Sequence, residues 1–273
     1  MSLRFAATVM LARPAPAPAR GFEIYMTRRS AGSAFAPDAF VFPGGALEGD
    51  GDAGSAARAR TLGLEPGRVR EEFARATVSP ELPAAVPPAD PAAAAGLLVA
   101  ALRELFEEAG LLIARTAGGA PVDAAHAFSA EIQAERDRLR TGDLAFADFL
   151  ARHDWFADAR ELTLFSHWIT PASEPRRFDT RFFFARAPQD QAGRADAFET
   201  HDGIWISPFD ALARYRAGDF HLVYPTIKHL ERLAPLHSLD EAVEFARGKA
   251  IVTILPATQT GPFAIPATLE DAW

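Results

Sequence analysis

The stretch that decides this chain is RELFEEAGL, residues 103–111. It sets three carboxylates, Glu104, Glu107 and Glu108, beside Arg103 and ends on Gly110. On a helix each residue advances about 100°, so with Glu104 at zero, Glu107 falls near ~300° and Glu108 near ~40°. The three share one face. Leu98, Leu102, Leu105, Phe106 and Ala109 fall on the opposite face, where a core would take them. Arg103 and Glu107 form an i,i+4 pair, whereas Glu104 and Glu108 are like charges at the same spacing and repel by a few tenths of a kcal/mol. Spacing alone leaves two readings open. Either the face is simply solvated, or the carboxylates together ligate a hard divalent cation.

Upstream of this stretch lies ADPAAAAGLLVAAL (89–102), which extends the helix back to about residue 91. Asp90 is the expected N-cap, Pro91 suits the first helical position, and Gly110 suits the C-terminal cap. Further upstream, FVFPGGALEGDGD (40–52) reads as a short strand followed by Gly44, Gly45 and the acidic residues Glu48, Asp50 and Asp52. Glycines there allow backbone to approach a ligand or cation closely.

Together the two pieces resemble the box of the Nudix hydrolases: a glycine-rich strand end, an acidic turn, then Arg-Glu-apolar-x-Glu-Glu-x-Gly-apolar. RELFEEAGL matches every fixed position of the second half. The resemblance implies an α/β/α sandwich around a mixed sheet and hydrolysis of a diphosphate linked to another moiety. It implies that Glu104, Glu107 and Glu108 bind metal, Mg²⁺ or Mn²⁺, with Gly45 as a further ligand, and that Arg103 orients them. One departure stands out. The usual box joins its two halves by a short spacer, but here about fifty residues separate Asp52 from Arg103. Counting from Gly45, the upstream acid of the box falls on Gly51, leaving Glu48, Asp50 and Asp52 as candidates for that role.

A box split this way resembles the branch containing the mammalian peroxisomal coenzyme A diphosphatase. AATVMLARP, FVFPGG, WITP, RRFDTRFF and WISP have counterparts there in the same order, over roughly residues 5–256. The branch implies cleavage of coenzyme A or acyl-CoA to 3′,5′-ADP and (acyl-)phosphopantetheine. Two alternatives stay open: a Nudix pyrophosphatase for ADP-ribose, NADH or a nucleotide sugar, and a nucleotide-sensing module that does not cleave. Beyond the box glutamates, Arg103, Glu107 and Glu199 are the catalytic candidates. Glu199 precedes Trp205 by six residues, where the family often places a loop acid. Gly44, Arg176, Arg177, Arg181 and Tyr224 are candidates for binding substrate. Trp168, Phe178 and Tyr224 read either as a stacking surface for adenine or as core.

The rest of the chain bounds these readings. The net charge of −8 argues against a nucleic-acid or anionic-membrane partner. Without cysteine, thiol catalysis and Cys-ligated zinc are excluded. No apolar run approaches the roughly 18–20 residues of a membrane span. The amino-terminal MSLRFAATVMLARP reads as a strand rather than a signal peptide, because a second β-rich run, FEIYMTRR, follows a Pro/Ala-rich turn. The carboxyl-terminal LEDAW carries no peroxisomal or retention tripeptide, and a cytoplasmic location is expected. The expected partner is a small nucleotide-diphosphate substrate, with a homodimer left open.

Strands are expected at about 5–13 and 22–29, within AFVFPGG, in ELTLFSHWITP and RRFDTRFFFARAP as neighbours, in GIWISP and in AIVTILPA. Residues 124–140 and 144–153 read as helical. Three amphipathic helices are expected towards the C-terminus, the last opening on a Ser238–Glu241 capping box. Residues about 49–89, rich in Pro, Ala and Gly, read as an insertion within the box whose one helical patch is GRVREEFARATV. The expectation is one Nudix domain over 1–273 with extra C-terminal helices.

Overall fold

The computed structural model describes residues 3–17, 19, 21–32, 37–77, 90–192, 203–256, 264–266, 269 and 273. The chain opens with strands β1 (Arg4–Pro14), β2 (Phe22–Arg28), β3 (Phe40–Val41) and β4 (Gly44–Ala46). Helices α1 (Gly49–Ala53) and α2 (Ser55–Ala59), strand β5 (Thr61–Leu62), helix α3 (Pro66–Ala74) and strand β6 (Ala76–Thr77) follow. The long helix α4 (Pro91–Ala109) leads to β7 (Ala114–Thr116), α5 (Ala124–Ala127), α6 (Ala130–Thr141), α7 (Phe146–Arg152) and β8 (Trp155–Asp158). Then come β9 (Thr163–Ile169), β10 (Phe178–Arg186), α8 (Gln189–Ala192) and β11 (Gly203–Ile206). The last elements are α9 (Pro208–Ala217), α10 (Tyr224–Leu233), α11 (Leu239–Gly248) and β12 (Ile251–Ile254).

The central strands read as near-continuous apolar runs because both of their faces are buried. Side chains alternate across a strand. In β1, Ala7, Val9 and Leu11 enter one core and Met10 and Ala12 the other; in β10, Phe183 and Ala185 oppose Phe182 and Phe184. The first core is closed by α4, through Leu97, Leu98, Leu102, Leu105 and Phe106. The second is closed by α9, α10 and α11, through residues such as Leu212, Leu230, Leu233 and Val243. The result is the expected α/β/α sandwich.

Among the described residues the main sheet has nine strands in the order β11-β2-β1-β10-β9-β12-β6, with β3 on β2 and β4 on β1. It is mixed. β1 runs parallel to β10, with Val9 opposite Phe183, and antiparallel to β2 and β4. The two aromatic runs are antiparallel neighbours, Arg181 opposite His167. A second sheet, β5-β8-β7, packs beside it. These short strands were not expected, since runs of two to four residues carry no period of their own.

Helix α4 takes the limits its caps predict. Asp90 accepts the Ala93 N–H at 2.8 Å, Pro91 opens the helix, and Gly110 turns left-handed at φ 69°. Its N-terminal half is buried all round, because α1, α2 and α3 cover the side that the sheet does not. Phe106 is fully buried and stacks on Phe149 at 5.0 Å. Burying such a side chain stabilises by roughly 1.5–3 kcal/mol. The helix is therefore a rigid mount for whatever its acidic face carries.

The expected insertion carries more structure than its one helical patch: α1, α2 and β5 precede α3, which covers that patch as far as Ala74, and β6 follows. Its last stretch, 78–89, lies outside the described residues. The Ser238–Glu241 box forms with a shifted partner: Glu241 N–H donates to Ser238 Oγ, while the Glu241 carboxylate accepts from His237 N.

Candidate active site

Arg103 is the hub of the acidic face. The residue is 4% exposed. Nε and Nη2 donate to the two carboxylate oxygens of Asp52 at 2.9 and 3.0 Å, Nη1 to Glu104 at 3.0 Å and Glu107 at 3.2 Å, and Nη2 also to the Ala46 carbonyl at 3.2 Å. Glu48 lies 3.6 Å away at the rim. Burial opposes the charge on Arg103, but Asp52, Glu104 and Glu107 outweigh it, so its pKa is raised. Asp52, fully buried, also accepts the Glu48 N–H at 2.8 Å, which fixes α1 against α4.

Of the three acids left open by the sequence, Asp52 makes the buried two-pronged contact with the arginine, while Glu48 pairs with it from the rim. Asp52 lies one residue beyond the expected position because α1 turns its side chain inward. The two halves of the box thus meet although about fifty residues separate Asp52 from Arg103 in sequence.

The glycines do steric work on the other side. β4 runs antiparallel to β1, with Gly45 opposite Ala7 and Gly44 opposite Thr8. A Cβ on Gly45 would lie 2.1 Å from Glu104 Oε1, and one on Gly44 would lie 2.4 Å from the Ala7 carbonyl. Only glycine admits this approach. It lets the Gly44 N–H donate to Glu108 Oε2 at 3.0 Å.

Glu104, Glu107 and Glu108 are largely buried anions. Burial raises all three pKa values, and Glu107 and Glu108 are pushed up to about 7. Arg103 pulls Glu107 back down; Glu104 adds repulsion at Glu108, which the Gly44 N–H and Arg29 partly offset. Beyond the helix, Arg136 of α6 donates to the carbonyls of Glu107 and Glu108 at 3.0 and 3.1 Å. It satisfies the carbonyls a helix end leaves open and sets a cation against the negative end of the dipole.

The three carboxylates line a cleft of about 490 Å³ together with Arg28, Arg29, Arg136 and Arg140. A second, apolar cavity of about 210 Å³ adjoins it, sharing Arg29 and Val41. Among the described residues no three acidic or imidazole groups already converge as a metal cage. The donor chemistry nonetheless fits a hard divalent ion. The oxygens are anionic, crowded and half-desolvated, and a positive charge in the cleft would relieve their mutual repulsion. Such ions keep several water ligands, so a ridge suits them as well as a closed cage.

The other expected residues are divided. Tyr224, Trp168 and Phe178 all line the apolar cavity, with Trp168 and Tyr224 in edge contact at 6.2 Å. Arg181 does not reach either cavity. It is buried, paired with Asp179, and Asp179 also holds His167 at 2.7 Å. Arg181 lies on the strand face opposite to Thr180 and Phe182, which do line the cavity. Arg177 is tied to the Thr170 carbonyl at 3.0 Å, and neither it nor exposed Arg176 lines the cleft. Glu199 lies outside the described residues; the strand it precedes starts at Gly203, opposite Thr27 on the cleft wall. The cations that share the cleft with the carboxylates were missed. Arg28 and Arg29 end a strand, and Arg136 and Arg140 share a helix face at i,i+4. That spacing was the available signal, but nothing in it says which helix lies opposite.

Comparison with known proteins places this geometry among relatives. The NUDT19 Nudix domain family matches residues 2–233. The human protein "Acyl-coenzyme A diphosphatase NUDT19" (Homo sapiens) is 31% identical over 260 residues, covering 86% of this chain and 67% of its own. Its chicken counterpart (Gallus gallus) is 29% identical, covering 91% and 72%. The crystal structure of a NUDIX hydrolase from Alicyclobacillus acidocaldarius superposes with a TM-score of 0.61 at 26% identity, covering 89% of this chain and 96% of that one.

Proposed function

This chain belongs to the Nudix hydrolases, in the NUDT19 Nudix domain family, and from that premise we propose that it cleaves the diphosphate bridge of coenzyme A or an acyl-CoA. Water would form a new bond to one bridge phosphorus, the bond from that phosphorus to the bridging oxygen would break, and 3′,5′-ADP and (acyl-)phosphopantetheine would leave. The observation that carries this reading is that Glu104, Glu107 and Glu108 line one cleft together with Arg28, Arg29, Arg136 and Arg140. Acids alone would suit a cation and bases alone an anion. A diphosphate with its divalent ion needs both.

Glu104, Glu107 and Glu108, with the backbone of Gly45 beside them, would hold the ion, Mg²⁺ or Mn²⁺. When bound, it supplies Lewis-acid stabilisation of phosphoryl oxygens and a more acidic water. The protein's own part is positioning and charge. Arg103 holds Glu104 and Glu107 in place and is itself held by Asp52. The Gly44 N–H fixes Glu108. Arg29 and Arg140 would take non-bridging phosphate oxygens, and Glu199 is retained as the proposed acceptor of the water proton.

The test is product analysis with purified protein, Mg²⁺ or Mn²⁺, and a panel of coenzyme A, acetyl-CoA, ADP-ribose, NADH and a nucleotide sugar. Release of 3′,5′-ADP from coenzyme A is the expected result. Turnover of ADP-ribose with coenzyme A untouched would overturn the substrate assignment. The human and chicken relatives are named acyl-coenzyme A diphosphatases, which supports coenzyme A over the other diphosphates.

A further inference from the structure

The cleft and the apolar cavity meet at Arg29 and Val41 but differ sharply in charge. The cleft carries four arginines. The cavity is walled by Phe42, Trp168, Phe178, Phe182 and Tyr224, and its only charged lining residues among those described are Arg29 and Glu174. A substrate lying across both must therefore place its neutral part in the cavity and its charged part in the cleft.

Coenzyme A is asymmetric in this way. On one side of its diphosphate is a nucleoside bearing a 3′-phosphate, and on the other an uncharged chain of two amides ending in a thiol or thioester. Adenine itself would suit an aromatic wall. Its ribose would then carry the 3′-phosphate towards Glu174 and away from Arg28, Arg136 and Arg140, and Arg29, the one cation lining the cavity, is already proposed to take the diphosphate. The neutral arm meets no such penalty.

Resting on the coenzyme A reading, we propose that the cavity lined by Trp168, Phe178 and Tyr224 is the subsite for the pantetheine arm, and that Arg28, Arg136 and Arg140 face the 3′-phosphonucleoside. The diphosphate thus lies with its adenosine side towards α6 and its pantetheine side towards α10.

Calorimetry with each product separately, in the presence of Mn²⁺, tests the orientation apart from turnover. Phe178→Ala should weaken 4′-phosphopantetheine binding by about tenfold and leave 3′,5′-ADP unchanged. Thr180→Phe, which fills the cavity rather than emptying it, should do the same. Arg140→Ala should weaken 3′,5′-ADP by a similar factor, spare 4′-phosphopantetheine, and narrow the kcat/KM ratio of coenzyme A to dephospho-coenzyme A. The reverse pattern, or no separation of the two products in variants whose melting temperature is unchanged, overturns the assignment. Wild-type protein that binds both products in this pattern but cleaves no coenzyme A would sink the proposed activity and leave the subsites standing.

Discussion

Arg103 and Asp52 form a two-pronged buried ion pair, Nε to Oδ1 at 2.9 Å and Nη2 to Oδ2 at 3.0 Å, across 51 positions of sequence. The pair closes a motif that the inserted residues divide. Because both groups are out of water, their geometry is held by more than Coulomb attraction: two parallel N–H···O bonds fix the guanidinium plane, while Glu104 and Glu107 engage Nη1 alone.

Asp52→Asn should therefore damage stability and activity together. Removing one charge of a buried pair costs about 3 kcal/mol, less whatever Glu104 and Glu107 recover by closing on Arg103. Urea unfolding measures the loss, and kcat should fall more than KM rises. A variant as stable and as active as the wild type would show that the pair does not position the ridge.

Glu108→Gln should separate folding from function. Its carboxylate is pushed up to about 7 by burial and by Glu104, so an uncharged isostere removes an unfavourable anion. The metal-free variant should melt at the same temperature or higher, as expected where a functional group is held at a cost to stability. Turnover should drop by roughly 10²–10³, the scale of losing one electrostatic stabiliser, with weaker Mn²⁺ binding by calorimetry. Unaltered turnover would remove Glu108 from the metal role.

Gly44→Ala and Gly45→Ala should differ in kind. At Gly44 the new Cβ meets backbone, Ala7 O at 2.4 Å and Thr8 Cα at 2.7 Å; at Gly45 it meets the Glu104 carboxylate, which can swing aside. The first should destabilise by about 1–3 kcal/mol, the usual scale of overpacking. The second should cost less stability but more activity. Thermal melts beside kcat decide the order.

Stability should respond to pH in a way that depends on metal. His167 and His229 are buried and neutral, their pKa values held down at about 2 and about 3 chiefly by burial. The unfolded chain takes those protons from about pH 6.5 downward, so the histidine contribution is present above that pH and lost as pH falls. Glu107 and Glu108 act oppositely. Their folded pKa values are raised, so their contribution grows as pH drops from about 7 towards the unfolded carboxylate range. Metal-free protein should show a shallow dependence between pH 7 and pH 5. With Mn²⁺ holding the glutamates ionised, stability should fall steeply over the same interval. Equal slopes in EDTA and in Mn²⁺, measured by urea unfolding, would separate the glutamates from the metal.

The sequence by itself determined the elements whose information is local. Asp90, Pro91 and Gly110 mark both ends of α4, since caps act within a turn. The period of Leu98, Leu102, Leu105 and Phe106 sets which face is acidic, and apolar runs such as FFFA (182–185) announce strands buried on both sides. RELFEEAGL names its own chemistry because three glutamates on one ridge are a statement about a single helix.

Tertiary structure decided everything that depends on what lies opposite. Glu48, Asp50 and Asp52 are equivalent acids until α1 turns one of them inward to Arg103. Arg181 looks like a phosphate ligand in RRFDTRFF, yet strand alternation sends it into the core with Asp179 and His167. Arg28, Arg29, Arg136 and Arg140 look like ordinary surface charges, yet three-dimensional packing brings them to the acidic cleft. The physical reason is range. Helix and strand periods are fixed by backbone geometry a few residues at a time, whereas a charge acquires its role from partners that only the folded sheet carries to it.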